Sequence, residues 1–398
     1  GFPNDDRSGM SAWASHMRGT SRMEAVDLNL AGSYALLGRE HALMMGYGEA
    51  TQRDVSPVMR SNIPAGYYTI DDWKYMGGIA KFGDTVTDLK GEHSSKQQKA
   101  GYLATRLSLT DRLHAVLGSR YGSWELKSAA PQYDANDQLT AAGKTSQTHN
   151  DMWTPYAGLL YDLTPEYTVY ASYTDIFKPQ TSKGLDSKVL DPVMGENYEV
   201  GIKGEFYDGR LNTSLAYFEV HEDNRPEDDT AYNANPTNPA IDSAYQGIQA
   251  KTKGYEAEIS GELAPGWQVQ AGYTHKVSRD EHGTKVATWE PEDQLNVYTT
   301  YKLGGRLDKL TLGGGARWQA QGWQVLTNYN KGGTQEKFAQ DAYWLVDVMA
   351  RYQLTDSLSA TLNVNNVFDK KYYTNIGFYN SSYYGDPRNV MVSTRWSF

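Results

Sequence analysis

The chain has 398 residues, 39% of them hydrophobic, a net charge of -10 and no cysteine. Without cysteine there is no disulfide scaffold, thiolate metal site or cysteine nucleophile, and the acidic balance excludes nucleic acid as a natural partner, because phosphate binding needs a basic surface. A run of roughly 18 apolar residues is absent, which excludes helical membrane spans but not transmembrane strands, whose lumen-facing residues dilute their hydropathy.

The chain opens Gly1-Phe2-Pro3-Asn4-Asp5-Asp6, with no initiator Met, basic leader or apolar segment. Either a signal has been processed away or a longer protein is implied. Period-two alternation then predicts strands near 25–36, 41–52, 98–109, 113–126, 152–163, 167–177, 197–207 and 211–221. It resumes near 254–263, 267–278, 294–303, 309–320, 343–353, 357–367 and 388–398. These make about fifteen, each close to the ~9–11 residues that a tilted strand needs to cross a bilayer. In the clearest case Tyr255, Ala257, Ile259, Gly261 and Leu263 alternate with Glu256, Glu258, Ser260 and Glu262. At the end of the chain Val390, Val392, Thr394, Trp396 and Phe398 alternate with Met391, Ser393, Arg395 and Ser397, so the last strand is expected to end on the final residue.

Connections alternate between short and long. The short ones, such as Thr110-Asp111-Arg112, Thr164-Pro165-Glu166, Asp208-Gly209-Arg210, Ala264-Pro265-Gly266 and Thr355-Asp356-Ser357, carry hairpin chemistry. Long polar stretches near 53–97, 127–151, 178–196, 222–253, 279–293, 321–342 and 368–387 read as loops. Short turns on one side and long loops on the other are the signature of an outer-membrane barrel. The expected fold is therefore all-β, an antiparallel transmembrane β-barrel occupying 1–398, with Phe398 at the periplasmic rim. Closed barrels of this kind have even strand numbers, so an odd set beginning inside a loop predicts a barrel lacking its first strands. The expected lipid-facing phase is Tyr255, Ala257, Ile259, Leu263, Val392, Trp396 and Phe398, with Glu256, Glu258, Ser260 and Arg395 inward.

Three stretches in this order resemble the TonB-dependent ferric-siderophore receptors of Gram-negative outer membranes. They are Tyr170-Ala171-Ser172-Tyr173-Thr174-Asp175-Ile176-Phe177-Lys178-Pro179-Gln180, Glu196-Asn197-Tyr198-Glu199-Val200-Gly201-Ile202-Lys203 and Asn363-Val364-Asn365-Asn366-Val367-Phe368-Asp369-Lys370-Lys371-Tyr372-Tyr373. The closing Tyr384-Gly385-Asp386-Pro387-Arg388-Asn389-Val390 is also similar to that family, closest to its ferripyoverdine and hydroxamate branch. The resemblance implies a barrel of about 22 strands with a plugged lumen. This chain would supply the last strands, with the N-terminal plug and the TonB box lying outside it. It further implies a ferric siderophore as transported ligand, TonB as energising partner through the missing N-terminal region, and outer-membrane lipid around the wall.

A ferric siderophore already fills its iron shell with its own oxygens, so the receptor needs no intrinsic cofactor or metal ligand. It needs a concave vestibule of aromatic surface with a few hydrogen-bond donors. Trp13, Trp73, Trp153, Tyr379, Tyr383 and Tyr384 are the candidate ligand-binding residues, in or beside the long loops. The same residue types also form the aromatic girdle at a lipid interface, and that alternative stands beside the first. Arg106, Arg120, Arg317, Arg351 and Arg395 fall on the polar phase, where a charge ladder with Glu199, Glu205, Glu256 and Asp347 competes with a role toward plug or ligand. The acidic run Glu222-Asp223-Asn224-Arg225-Pro226-Glu227-Asp228-Asp229 lacks the spacing of a calcium loop and reads as a solvated loop. Eight scattered histidines form no i, i+4 pair, and no hydrolase, P-loop or dinucleotide fingerprint occurs, so no catalytic residues are assigned. A passive porin, an outer-membrane enzyme and an adhesin are the competing functions.

Overall fold

The computed structural model describes residues 10–11, 19–58, 69–70, 89–133, 138–186, 188–229, 244–328, 334–378 and 381–398. Trp13, Trp73 and Tyr379 lie outside these residues. The strands are β1 (Met10–Ser11), β2 (Thr20–Leu36), β3 (Arg39–Val58), β4 (Thr69–Ile70), β5 (Leu89–Ser108), β6 (Leu113–Tyr133) and β7 (Leu139–Asp162). They continue with β8 (Tyr167–Lys178), β9 (Val193–Phe206), β10 (Leu211–Asp228), β11 (Tyr245–Ala264), β12 (Trp267–Asp280), β13 (Asp293–Lys302) and β14 (Leu310–Gln319). The last are β15 (Gly322–Asn328), β16 (Thr334–Gln340), β17 (Tyr343–Gln353), β18 (Leu358–Asn365), β19 (Tyr373–Phe378), β20 (Ser381–Tyr384) and β21 (Asn389–Trp396). A single 3-10 turn at Gly305–Leu307 is the only helical element among the described residues.

Fifteen strands join one sheet in chain order, β2-β3-β5-β6-β7-β8-β9-β10-β11-β12-β13-β14-β17-β18-β21. This is the strand set that alternation predicts. The chain divides into two compact units, residues 1–108 with 116–157, and residues 109–115 with 158–398.

Strand ends differ from expectation in one direction. β3 runs to Val58, β5 starts at Leu89, β6 reaches Tyr133, β10 reaches Asp228 and β11 starts at Tyr245, so much of the expected loop sequence is strand. Outside a bilayer neither face must be apolar, and these extensions show no hydrophobic alternation by which to find them. The acidic run Glu222–Asp228 is likewise the end of β10, bent at Asn224 (φ 58°), with Arg225 paired to Glu222 at 3.0 Å. The run is therefore strand where a loop was expected; Asp223 and Asp228 remain exposed, while Glu227 is half-buried and burial holds its carboxyl above the ordinary range. At the other end β21 stops at Trp396; the Ser397 amide still donates to Ser357 O at 2.8 Å, while Phe398 lies beyond the strand against Trp396.

Three of the short turns share one local solution. Thr110, Thr164 and Thr355 each turn their Oγ1 to accept the backbone amide of the residue three positions on, at 2.9, 3.2 and 3.1 Å. The preceding leucine closes each turn, with Leu109, Leu163 and Leu354 amides donating to the carbonyls of Leu113, Tyr167 and Leu358 at 2.8–2.9 Å. A Leu-Thr pair thus fixes the register of the hairpin that follows.

Register carries the two faces across the second unit. Leu215 pairs Ala257, Ala257 pairs Tyr273, Tyr273 pairs Leu295, Leu295 pairs Trp318 and Trp318 pairs Trp344. Farther along, Val348 pairs Val364 and Leu362 pairs Val392, so an apolar face is continuous to the last strand. The opposite phase holds Glu258, Gly272, Asn296 and Arg317 in one cross-strand row, with Arg351, Thr361 and Ser393 in another. In the interior of the sheet, Leu215 and Val348 of this face are 52% and 45% exposed, as side chains turned toward lipid are. Leu263 sits at a bulge between Glu262 and Ala264, beside Gly261 at φ 131°.

On the apolar face an aromatic belt marks the interface. Tyr173 and Tyr198 lie 5.2 Å apart between ring centroids, Tyr255 and Tyr273 5.9 Å, Trp318 and Trp344 6.1 Å. Tyrosine hydroxyls in it donate to neighbouring carboxylates, Tyr198 to Glu196 at 2.6 Å and Tyr273 to Asp293 at 2.7 Å. Rings toward hydrocarbon and hydroxyls toward charge are how tyrosine sits at a membrane surface.

Candidate functional site

Two hairpins rise from the long-connection side of the second unit, β15–β16 and β19–β20. Both fall in stretches expected as loops. Gln340 joins them: its Oε1 accepts the Tyr373 amide at 2.7 Å and its Nε2 donates to Asp341 O at 2.7 Å. Around this staple the rings gather. Phe338 meets Tyr373 at 5.5 Å, Tyr373 stacks on Tyr384 at 4.8 Å, and Tyr343 lies 4.8 Å from Tyr372. On the opposite phase of the β15–β16 hairpin, Lys337 Nζ sits 4.3 Å above the Trp323 ring, and the Trp323 amide donates to Thr288 O at 2.8 Å. The Tyr373 hydroxyl donates to Tyr384 Oη at 3.3 Å, and that bond pushes its pKa up.

The second hairpin is planted by the Asn366 turn. Asn366 adopts φ 49° and is buried. Its Oδ1 accepts the Lys370 amide at 2.8 Å, while its Nδ2 donates to Lys370 O at 2.9 Å and Asp386 O at 3.1 Å. Its own amide donates to Asp347 Oδ1 at 2.8 Å, and Asp347 Oδ2 pairs with Arg317 at 3.3 Å. Asparagine suits the place, being a side chain that tolerates a left-handed backbone and bonds its neighbours. Asp369 continues the turn by accepting the Arg388 amide at 2.9 Å. The expected lumen ladder is thus realised at Arg317–Asp347, where it supports the turn beneath the aromatic cluster. Arg106, Arg120, Arg351 and Arg395 form no ion pair among the described residues.

Gly385 closes the cluster. A Cβ there would stand 2.0 Å from the Tyr372 ring. Gly385→Ala is therefore expected to push Tyr372 off Tyr343, at a cost of about 1–3 kcal/mol typical of overpacking. Hydrogen exchange should rise at 372–385, with the fifteen-stranded sheet unchanged; unaltered exchange there would show that the ring has room to yield.

The structure brings together two of the residues singled out from sequence. Tyr383 and Tyr384 lie on β20, 54% and 65% exposed, at the open side of the cluster. Trp153 belongs to the first unit. It stands on β7 beside Tyr121 (6.0 Å), where it lines a shallow apolar basin of about 1050 Å³ with Leu28, Leu30, Met45 and Leu103. A strand face among apolar residues suits the girdle alternative that stood beside the ligand-binding one. Sequence reasoning missed Phe338, Gln340 and Tyr373, although Gly332-Gly333 after the alternating Trp323 and Val325 is a hairpin signal. It also missed the histidine–carboxylate pairs His221–Glu219 (2.6 Å) and His275–Asp293 (2.7 Å), the second formed only by cross-strand register. No group of three His, Asp or Glu able to hold a metal occurs among the described residues.

Residues 3–367 match the family described as TonB dependent receptor-like, beta-barrel. The chain belongs to that family. It is 53% identical over 96% of its length to the ferripyoverdine receptor of Pseudomonas aeruginosa, covering 45% of that relative. Against the ferrioxamine B receptor of Salmonella typhimurium the identity is 28%, over 94% of this chain and 50% of the relative. The solved ferripyoverdine receptor of the Pseudomonas aeruginosa outer membrane, bound to ferripyoverdine, superposes with a TM-score of 0.84 at 50% identity, over all of this chain and 51% of that one. This chain thus spans about half the length of the relatives it matches. The TonB-dependent barrel places it in the Gram-negative outer membrane, in a family of receptors rather than enzymes.

Proposed function

We propose that the complete protein captures a ferric siderophore of the pyoverdine class at its extracellular face and imports it with energy delivered by TonB. The observation that carries this is 53% identity to a ferripyoverdine receptor across 96% of the chain. The site supports it chemically. A ferric siderophore has its iron shell filled and presents a partly aromatic or amide-rich surface, and the Phe338–Tyr373–Tyr384 cluster offers ring faces and hydroxyls. Residues 1–398 serve as the wall of the transporter, with a plug and the TonB-contacting box supplied by sequence outside them. A porin is disfavoured, since the relatives that this chain matches over most of its length are siderophore receptors.

In the full-length receptor, Tyr373→Ala with Tyr384→Ala should weaken ferripyoverdine binding at least several-fold, since each well-placed ring contributes roughly 0.5–1.5 kcal/mol beyond burial. Tyr379→Ala, Trp13→Ala and Trp73→Ala belong to the same series, as the remaining ligand candidates. Surface expression and heat stability of the barrel should not change. Unaltered affinity in the Tyr373/Tyr384 variant would remove the hairpins from the binding site.

A further inference from the structure

On the polar phase of the wall, aromatic rings lie over glycines of the neighbouring strand. Register sets Tyr102 opposite Gly46, Tyr170 opposite Gly201, Phe218 opposite Gly254 and Tyr298 opposite Gly315. Tyr156 of β7 covers Gly118 of β6 in the same way. At each of these glycines a Cβ would come closer than 3.0 Å to the covering side chain. The ring therefore takes the place that a side chain would need, and folds down along the sheet instead of standing away from it. Tyr170 is held down further: its hydroxyl donates to Glu199, and Lys203 Nζ lies 4.9 Å from the ring centroid.

Facing a glycine does not by itself lay a ring down. On the apolar phase Tyr47 is opposite Gly101 in the same β3–β5 ladder that pairs Tyr102 with Gly46. A Cβ at Gly101 would meet only the Gly46 carbonyl, at 3.8 Å, so the Tyr47 ring stands off its glycine. It leans along its own strand instead, donating its hydroxyl to Glu49 at 3.1 Å. Toward lipid a projecting ring displaces only fluid chains, whereas toward the lumen it takes space from whatever passes. Tyr102, Tyr156, Tyr170 and Phe218 are accordingly half-buried in the wall. We propose that the rings seated on Gly46, Gly118, Gly201, Gly254 and Gly315 set the clearance of the lumen for a bulky ferric complex. They position the wall for passage and take no part in capture. The inference rests on the uptake function proposed above and assigns its transport step to residues on the strands rather than on the two hairpins.

The test uses cells making the full-length receptor, with binding of radiolabelled ferripyoverdine to de-energised cells and its uptake by energised cells measured side by side. Gly118→Ala is the informative change, because the three atoms nearest the added methyl all belong to Tyr156. It should leave affinity unchanged and slow uptake several-fold. Gly118→Ala with Tyr156→Ala should return uptake to the parental rate, since the lifted ring and not the methyl is the obstacle. Glu199→Ala, which frees the Tyr170 hydroxyl without adding an atom to the wall, should slow uptake to a smaller extent. Parental uptake in surface-expressed Gly118→Ala, no recovery in the double variant, or a parallel loss of affinity would each overturn the proposal. Should Gly118→Ala fail to reach the surface, parental uptake by Glu199→Ala overturns it. A parent receptor that neither binds nor imports ferripyoverdine would refute the proposed function, and this inference with it.

Discussion

Replacing Asn366 by Ala is expected to release the β19–β20 hairpin while leaving the sheet intact. The substitution strands the Lys370 amide and the Lys370 and Asp386 carbonyls, and it puts Ala at φ 49°. Buried polar groups left unpaired cost ~1–3 kcal/mol each, partly recovered as water enters, and the left-handed backbone adds roughly 1. A local loss of about 3 kcal/mol follows. Protease should then cut within 369–388 in folded receptor, ferripyoverdine binding should fall with it, and barrel heat stability should hold. Asn366→Asp keeps the acceptor for Lys370 N–H and should fall between the two. If the alanine variant resists protease like the parent, the hairpin is held by its ring contacts rather than by this turn.

The second large effect lies in the wall. Val392 pairs Leu362 on the apolar face, and Ser393 pairs Thr361 on the polar one. Arginine on a lipid-facing strand position near mid-membrane costs roughly 2–4 kcal/mol, whereas a lumen position meets water and polar neighbours. Val392→Arg should therefore lower refolding stability in lipid bilayers by that amount and Ser393→Arg by much less. Equal losses would mean that the phase has been assigned to the wrong faces.

How much of this was legible in sequence follows from where each signal resides. The fifteen strands could be read because a wall between lipid and lumen forces alternation, as at Tyr255–Ile259 or Val390–Trp396. Their extensions could not, because Thr, Ser, Gln and Lys on both faces erase the period outside the bilayer. Asn366 was visible only as part of a family-like string. Its role depends on Asp347 and Asp386, about 20 residues to either side and brought near by pairing of β17, β18 and β21. Tyr383, Tyr384 and Trp153 were all singled out because aromatics in or beside long loops suggest a ligand; the first two lie on β20 at the hairpin cluster, whereas Trp153 stands on β7 among apolar side chains. Composition alone does not tell such placements apart; strand phase does.

Under the proposed function, the aromatic hairpins β15–β16 and β19–β20 receive a ferric siderophore. Titration of the full-length receptor with ferripyoverdine, read by quenching of its tryptophan fluorescence, tests it most directly. Tight, saturable quenching that is weakened by Tyr373→Ala with Tyr384→Ala, in receptor of unchanged heat stability, is the predicted result. Absence of saturable quenching, or the same affinity with and without the two rings, would contradict it.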